Sequence, residues 1–195
     1  MVEGSGSKEF AIIRAMRYQQ PELLEQLLEK LISATVLYLN AQIAAGVNAI
    51  MIFDTWGGLL RPEDYLQFSL NPMQKILSQL HLNHKIPTII FTKNGGQHLE
   101  VMANSGANAL GIDWMTSLHD AKQRVGHKVA LQGNLDPAAL YGSQQSVVQA
   151  ATEILNIYGD QPGHIFNLGH GIYPDINPER VAVLVETVHN FRINS

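Results

Sequence analysis

Val47-Asn48-Ala49-Ile50-Met51-Ile52-Phe53 runs into Asp54-Thr55-Trp56-Gly57-Gly58, and a helical pattern opens a few residues later at Pro62-Glu63-Asp64. The short apolar run reads as a buried parallel strand. The polar, glycine-rich stretch at its end reads as a loop, and proline in the first helical turn marks the helix start. This strand–loop–helix unit recurs. Ile86-Pro87-Thr88-Ile89-Ile90-Phe91 leads to Thr92-Lys93-Asn94-Gly95-Gly96 and a helix carrying Leu99, Met102 and Ala103. Ala109-Leu110-Gly111-Ile112 leads to Asp113-Trp114 and a short helix over about 118–125. Val129-Ala130-Leu131 leads to Gln132-Gly133-Asn134-Leu135-Asp136-Pro137 and a helix over about 144–158. Gly163-His164-Ile165-Phe166-Asn167 leads to Leu168-Gly169-His170-Gly171 and a helix over about 178–190.

One long helix precedes the units. It opens at Pro21, places Leu23, Leu24, Leu27, Leu28, Leu31 and Ile32 at helical spacing, and stops at Gly46. Residues 1–9 read as a Gly/Ser loop. Gly4-Ser5-Gly6 is no phosphate cradle, because no strand precedes it and the third glycine of that fingerprint is absent. Alternating strands and helices imply an α/β fold with parallel strands and right-handed crossovers. About five strands fit a small open sheet, whereas a complete barrel has eight strands and typically ~250 residues. The unit count by itself favours the open sheet.

Composition bounds the function. The 195 residues are 46% hydrophobic and 15% charged, an ordinary globular make-up read as a single domain over 1–195. A formal charge of −4 gives no electrostatic footprint for nucleic acid. No apolar run approaches the roughly 18 residues of a membrane span, and the first residues lack the features of a signal peptide. The chain is therefore expected to be soluble and cytoplasmic. With no cysteine, disulfides, thiolate metal sites and a cysteine nucleophile are all excluded.

In both candidate architectures chemistry sits at the carboxyl ends of the strands. Those ends carry Asp54, Thr55 and Trp56; Lys93 and Asn94; Asp113 and Trp114; Gln132, Asn134 and Asp136; and His170. Polar groups and both tryptophans gathered on one face suit a small-molecule pocket. Gly169 and Gly171 flank His170 and free the backbone there. Asp136 and Asn134 are equally suited to capping a helix and tying a loop. His81 and His84, beside Asn83 and Lys85, read as a solvated helix end rather than metal ligands. His98 and His119 read as surface residues on helical segments. Lys93 reads as a simple cation, since nothing beside it argues for a Schiff-base role.

Taken in order, Phe53-Asp54-Thr55-Trp56-Gly57-Gly58, Phe91-Thr92-Lys93-Asn94-Gly95-Gly96, Gly111-Ile112-Asp113-Trp114, Leu131-Gln132-Gly133-Asn134-Leu135-Asp136-Pro137 and Phe166-Asn167-Leu168-Gly169-His170-Gly171 resemble the uroporphyrinogen decarboxylase family over nearly the whole chain. The resemblance implies a (β/α)₈ barrel, here partial, and overrides the open-sheet preference. It implies removal of carbon dioxide from the four acetate side chains of uroporphyrinogen III, giving coproporphyrinogen III in haem and porphyrin biosynthesis, with no cofactor and no metal. Thr55 matches the family's substrate-contacting hydroxyl position, often serine, and His170 its substrate-contacting histidine.

The motifs match only the later part of the family's sequence. The resemblance places an arginine cluster, the catalytic aspartate that grips the pyrrole nitrogens and a substrate-contacting tyrosine in the earlier part. No catalytic residue is therefore expected within 1–195. Decarboxylation by this polypeptide alone is expected to be weak or absent. The expected partners are a tetrapyrrole and either a second copy of the chain, as in the family's homodimer, or a complementing N-terminal segment. Two other readings are a non-catalytic tetrapyrrole-binding or assembly remnant, and a related barrel methyltransferase. Such methyltransferases commonly bind zinc through His and Cys, which a cysteine-free chain disfavours.

Overall fold

A computed structural model describes residues 2–4, 6–7, 9–81 and 86–192. His84, Asn83, Lys85 and Ser5, which figure in the sequence reading, lie outside the described residues.

Two helices lead: α1 (Ala11–Gln19) and α2 (Pro21–Ala44). Pro21 opens α2, Glu22 lies in its first turn, and Gly46 follows its end with φ +94°. Five strands follow: β1 (Ile50–Asp54), β2 (Thr88–Thr92), β3 (Ala109–Gly111), β4 (Ala130–Leu135) and β5 (His164–Leu168). Between β1 and β2 one continuous helical stretch comprises α3 (Pro62–Tyr65), a π-helical turn (Leu66–Leu70) and α4 (Asn71–Ser78). The remaining helices are α5 (Leu99–Ala103), α6 (Leu118–Val125), α7 (Gln144–Tyr158) and α8 (Pro178–Asn190). Three of them start on side-chain caps: Ser117, Ser143 and Asn177 accept the N–H groups of Asp120, Ser146 and Glu179.

All strands are parallel and lie in the order β1-β2-β3-β4-β5. A doubly wound sheet reverses its strand order at a switch point. This sheet never does, so successive right-handed crossovers put the helices on the same side. The structure thus corrects the open-sheet preference and has the layout of five consecutive units of a (β/α)₈ barrel.

Strand alternation divides the residues between two faces. Ile50, Ile90, Leu110 and Leu131 are buried on the outer face, in one cluster with Val36 and Leu39 of α2, Met73 and Ile76 of α4, Met102 of α5, Ala121 and Val125 of α6, and Tyr158 of α7. A second cluster around Leu140, Val147, Ala151 and Leu184 lies beneath α7 and α8. The inner face carries the register row Phe53–Phe91–Gly111–Gln132–Ile165. Among the described residues no helix covers its ends: Phe53 is 64% exposed and Ile165 42%.

α1 has no counterpart in the sequence reading. It buries no residue of its own and is fastened by the Arg17–Asp64 ion pair to α3 and by the Phe10 ring, 4.7 Å from that of Trp56. Arg61 also binds Asp64, at 2.7 Å.

Leu110 is fully buried at the centre of the outer face. Leu110→Ala removes roughly 3 kcal/mol of stability, read as a lower urea midpoint at unchanged slope by circular dichroism.

Candidate functional site

The loops that leave the five strand ends interlock. After β1, Asp54 accepts hydrogen bonds from the N–H groups of Trp56 (3.3 Å) and Gly57 (3.0 Å), and its second oxygen accepts one from the Ser69 hydroxyl. Ser69 lies on the π-helical turn, whose extra residue per turn alters which side chains face the sheet. Behind this loop the Tyr65 hydroxyl meets Thr92 Oγ1 at 3.0 Å. Burial pushes the Tyr65 hydroxyl up to about 12, against the opposing effect of the Thr92 bond. Asp54 is thereby committed to holding the backbone that presents Thr55.

Asp113, 1% exposed, joins the next loops. Its carboxylate accepts the Asn94 N–H from the loop after β2, the Met115 N–H at 3.2 Å and the Thr116 hydroxyl at 3.1 Å. Asn94 takes the left-handed conformation, φ 60°. Asn134, at the end of β4, donates through Nδ2 to the carbonyls of Asp113 (2.9 Å) and Thr116 (2.6 Å). Asp136 accepts the Ala138 N–H at 2.9 Å and caps the short helix Pro137–Tyr141. Both Asn134 and Asp136 therefore have the structural roles that their residue types allowed. Arg124 of α6 closes the turn after β2 from outside: it donates to the Gly96 carbonyl at 2.9 Å and binds Glu100 through two nitrogens. That paired contact holds the Glu100 carboxyl down at about 2.

Gly169 is fixed by a close approach and not by an unusual φ. A Cβ there would stand 2.4 Å from the Trp114 backbone nitrogen. The loop after β5 thus lies directly on the loop after β3. At Gly171 an added Cβ would meet nothing within 4 Å, and neither glycine takes a positive φ, so the backbone freedom expected beside His170 is not used and the need for glycine is steric, at Gly169.

Thr55 and His170 line the same cavity, of about 770 Å³. It runs from the inner face, where Met51, Phe53, Phe91, Gly111 and Gln132 form its wall, round the outer edge of β5 to α8, where Val181, Leu184, Val185 and His189 complete it. Gly111 makes the hollow: a Cβ there would come 2.8 Å from the Phe91 ring and 3.3 Å from the Met51 methyl. His170 is half-buried, its ring edge-on to Phe91 (6.2 Å) and to Trp114 (6.0 Å). Lys93 stands on the rim between Trp56 and Trp114, outside the cavity lining. The wall residues Phe53 and Phe91 were legible as strand residues but not as a pocket wall; the signal was their two-residue spacing from Met51 and Ile89.

His98 departs from the sequence reading. It is 4% exposed, its ring stacked at 4.0 Å on Tyr65, and burial lowers its pKa below the ordinary 6.5. The three-residue helical turn geometry of Gly95–His98 turns it inward instead of along an α-helical surface. His119 is exposed, as expected, and contacts Gln123. His81 is exposed and its N–H donates to Asn40. His164, on β5, stacks on Tyr158 at 4.4 Å and contacts the Gly133 carbonyl through Nε2 at 2.7 Å; burial lowers its pKa as well.

With this geometry in view, a family model described as uroporphyrinogen decarboxylase (URO-D) matches residues 1–191. Uroporphyrinogen decarboxylase of Methylococcus capsulatus is 54% identical over 193 residues, 98% of this chain and 55% of that protein. The Coxiella burnetii enzyme of the same name is 54% identical over the full chain and 55% of its own length, and that of Klebsiella pneumoniae 52% over 97% and 54%. The chain spans about half the length of the curated relatives it matches. Among solved structures, a methyltransferase from Methanosarcina mazei superposes with a TM-score of 0.81 at 26% identity, over 93% of this chain and 53% of that one.

Two outcomes are expected from the site's framework. Asp113→Ala leaves buried donors unpaired and costs roughly 2–4 kcal/mol, measured by denaturant unfolding. His98 and His164 both have lowered folded-state pKa values, so the unfolded chain binds more protons below pH 6.5. Their contribution is complete above that pH and is lost as pH falls below it. The melting temperature should therefore drop between pH 7 and pH 5, and His98→Phe should flatten the drop.

Proposed function

The chain belongs to the uroporphyrinogen decarboxylase family, and from that premise we propose that it forms part of the substrate cup of a carboxy-lyase that converts uroporphyrinogen III to coproporphyrinogen III in haem biosynthesis. The observation that carries the reading is the cavity shared by Thr55 and His170, apolar along Phe53 and Phe91 and polar at its rim. In this reading the pyrrole ring is its own electron sink. Protonation beside the acetate-bearing carbon makes the ring cationic, and loss of carbon dioxide restores the pyrrole. The protein must hold the ring and pair its carboxylates while that charge develops.

The Thr55 hydroxyl and the His170 imidazole each hydrogen-bond a substrate carboxylate. Asp54, itself bonded by Ser69, holds the Trp56 and Gly57 backbone that follows Thr55, while Phe91 and Trp114 bracket His170. The aromatic wall keeps water from the reacting ring. The proton donor and the group that binds the pyrrole nitrogens are not assigned to any residue of 1–195. The partner is then a second copy of the chain or an N-terminal segment like that of the relatives, pairing with the open edge of β1 or β5 and covering Phe53 and Ile165. The compartment is the cytoplasm, and no helix among the described residues is long and apolar enough to cross a membrane.

A second reading is binding of a tetrapyrrole without turnover. It is favoured by the scarcity of cations at the strand ends: among the described residues there, Arg61 and Arg124 are both engaged by carboxylates, leaving Lys93. One assay separates the two. Purified chain is incubated with uroporphyrinogen, alone and with the N-terminal half of the Methylococcus capsulatus relative, and coproporphyrinogen is measured. The expected outcome is little product alone and restored product with both parts. His170→Asn should lower the restored rate by about 10- to 100-fold, and Thr55→Val by about tenfold. Binding with no product from either mixture would favour the second reading.

A further inference from the structure

Lys93 is the first residue beyond β2, between the loop that carries Thr55 and the loops that carry Trp114 and His170. Its ammonium lies 5.8 Å from the centre of the Trp56 ring and 5.2 Å from that of Trp114. Both distances fall within the range in which an aromatic face attracts a cation. Trp114 in turn meets the His170 ring edge-on at 6.0 Å. The two indoles thus hold the ammonium in place, one aromatic ring away from the histidine.

The backbone beneath Lys93 is equally constrained. Asn94 is pinned in a left-handed conformation by the Asp113 carboxylate, and a Cβ on Gly58 would stand 2.1 Å from the Lys93 carbonyl oxygen. The carboxylates at the ends of the two flanking strands are already engaged by hydrogen bonds. Asp54 serves Trp56, Gly57 and Ser69, and Asp113 serves Asn94, Met115 and Thr116. Among the described residues no carboxylate forms an ion pair with Lys93. Indole faces stabilise a cation without neutralising it. A half-buried lysine fixed by its neighbours but without a direct ion-pair partner among the described residues suits an incoming anion.

We infer that Lys93, held between Trp56 and Trp114, pairs with one carboxylate arm of the polycarboxylate ring while Thr55 and His170 contact others. This rests on the reading that the chain binds a tetrapyrrole. Lys93 sets affinity for the charged arms and takes no part in proton transfer. Its compact charge suits a single carboxylate oxygen, and arginine would retain the pairing with altered geometry.

The test uses the two tryptophans, the only ones in the chain and both beside Lys93. Quenching of their fluorescence by uroporphyrin, the oxidised and unreactive polycarboxylate, is titrated at two salt concentrations for the parent, Lys93→Met, Lys93→Gln and Lys93→Arg chains. Thermal melts establish that each is folded. The expected result is about a tenfold loss of affinity in Lys93→Met and Lys93→Gln with a shallower salt dependence, and near-parental binding in Lys93→Arg. A purely structural lysine would not change the salt dependence. Unchanged affinity and salt dependence in the folded neutral variants would overturn the assignment while leaving tetrapyrrole binding intact. Absence of binding by the parent chain would overturn the functional reading itself, and this inference with it.

Discussion

The Asp113 carboxylate is buried, and a buried charge is tolerable only when donors surround it. Its donors come from the loop after β2 and from its own loop, and its backbone carbonyl receives Asn134 from β4. Gly169 brings the loop after β5 against the same stretch of backbone. Four of the five strand ends are thus tied at one point. The first is joined through the contact of Gly58 with the Lys93 carbonyl. The side chains facing the cavity inherit their positions from this arrangement, because none of their loops is held by its own helix alone.

Beneath the rim, the ladder register does the complementary work. Phe53, Phe91, Gly111, Gln132 and Ile165 occupy one row because each pairs with the next across the sheet. A slip of one residue on any strand would turn its apolar inner residue toward the helices and its core residue toward the cavity. Burial of Ile50, Ile90, Leu110 and Leu131 against the helices fixes the register from the other side. Stability and pocket shape are therefore set by the same alternation, read on opposite faces.

Much of this was legible in the sequence where the signal is local. α6, α7 and α8 fall where the sequence pattern put them, and the five strands were recognised with their starts placed up to three residues early. Asp136 took the capping role that its side chain favours locally, whereas Asn134 ties not its own loop but the one after β3. What escaped was non-local. His98 looks like a surface residue until Tyr65, distant in sequence, stacks on it. The π-helical turn is a hydrogen-bonding detail within an unbroken helical pattern, and it carries Ser69, which bonds Asp54. α1 buries no residue; Ile12, Ile13 and Met16 recur at helical spacing, but the stretch is short and lies next to the Gly/Ser-rich start that was read as loop. Strand order could not be read from the unit count, because an open sheet and a barrel share the same alternation of elements. The family motifs, all at strand ends, carried that distinction.

The shared anchorage of neighbouring loops also limits how such a rim can diverge. A scaffold whose loops are independent can trade one without disturbing the others, and new specificities arise piecemeal. Here the turn containing Asn94 is incomplete without the acid of the neighbouring loop, and the bend at Gly169 has no room for a side chain against the backbone of Trp114. Grafts between homologues should succeed as blocks of adjacent loops and fail singly, so variation along this lineage is expected to accumulate in coordinated patches of the rim.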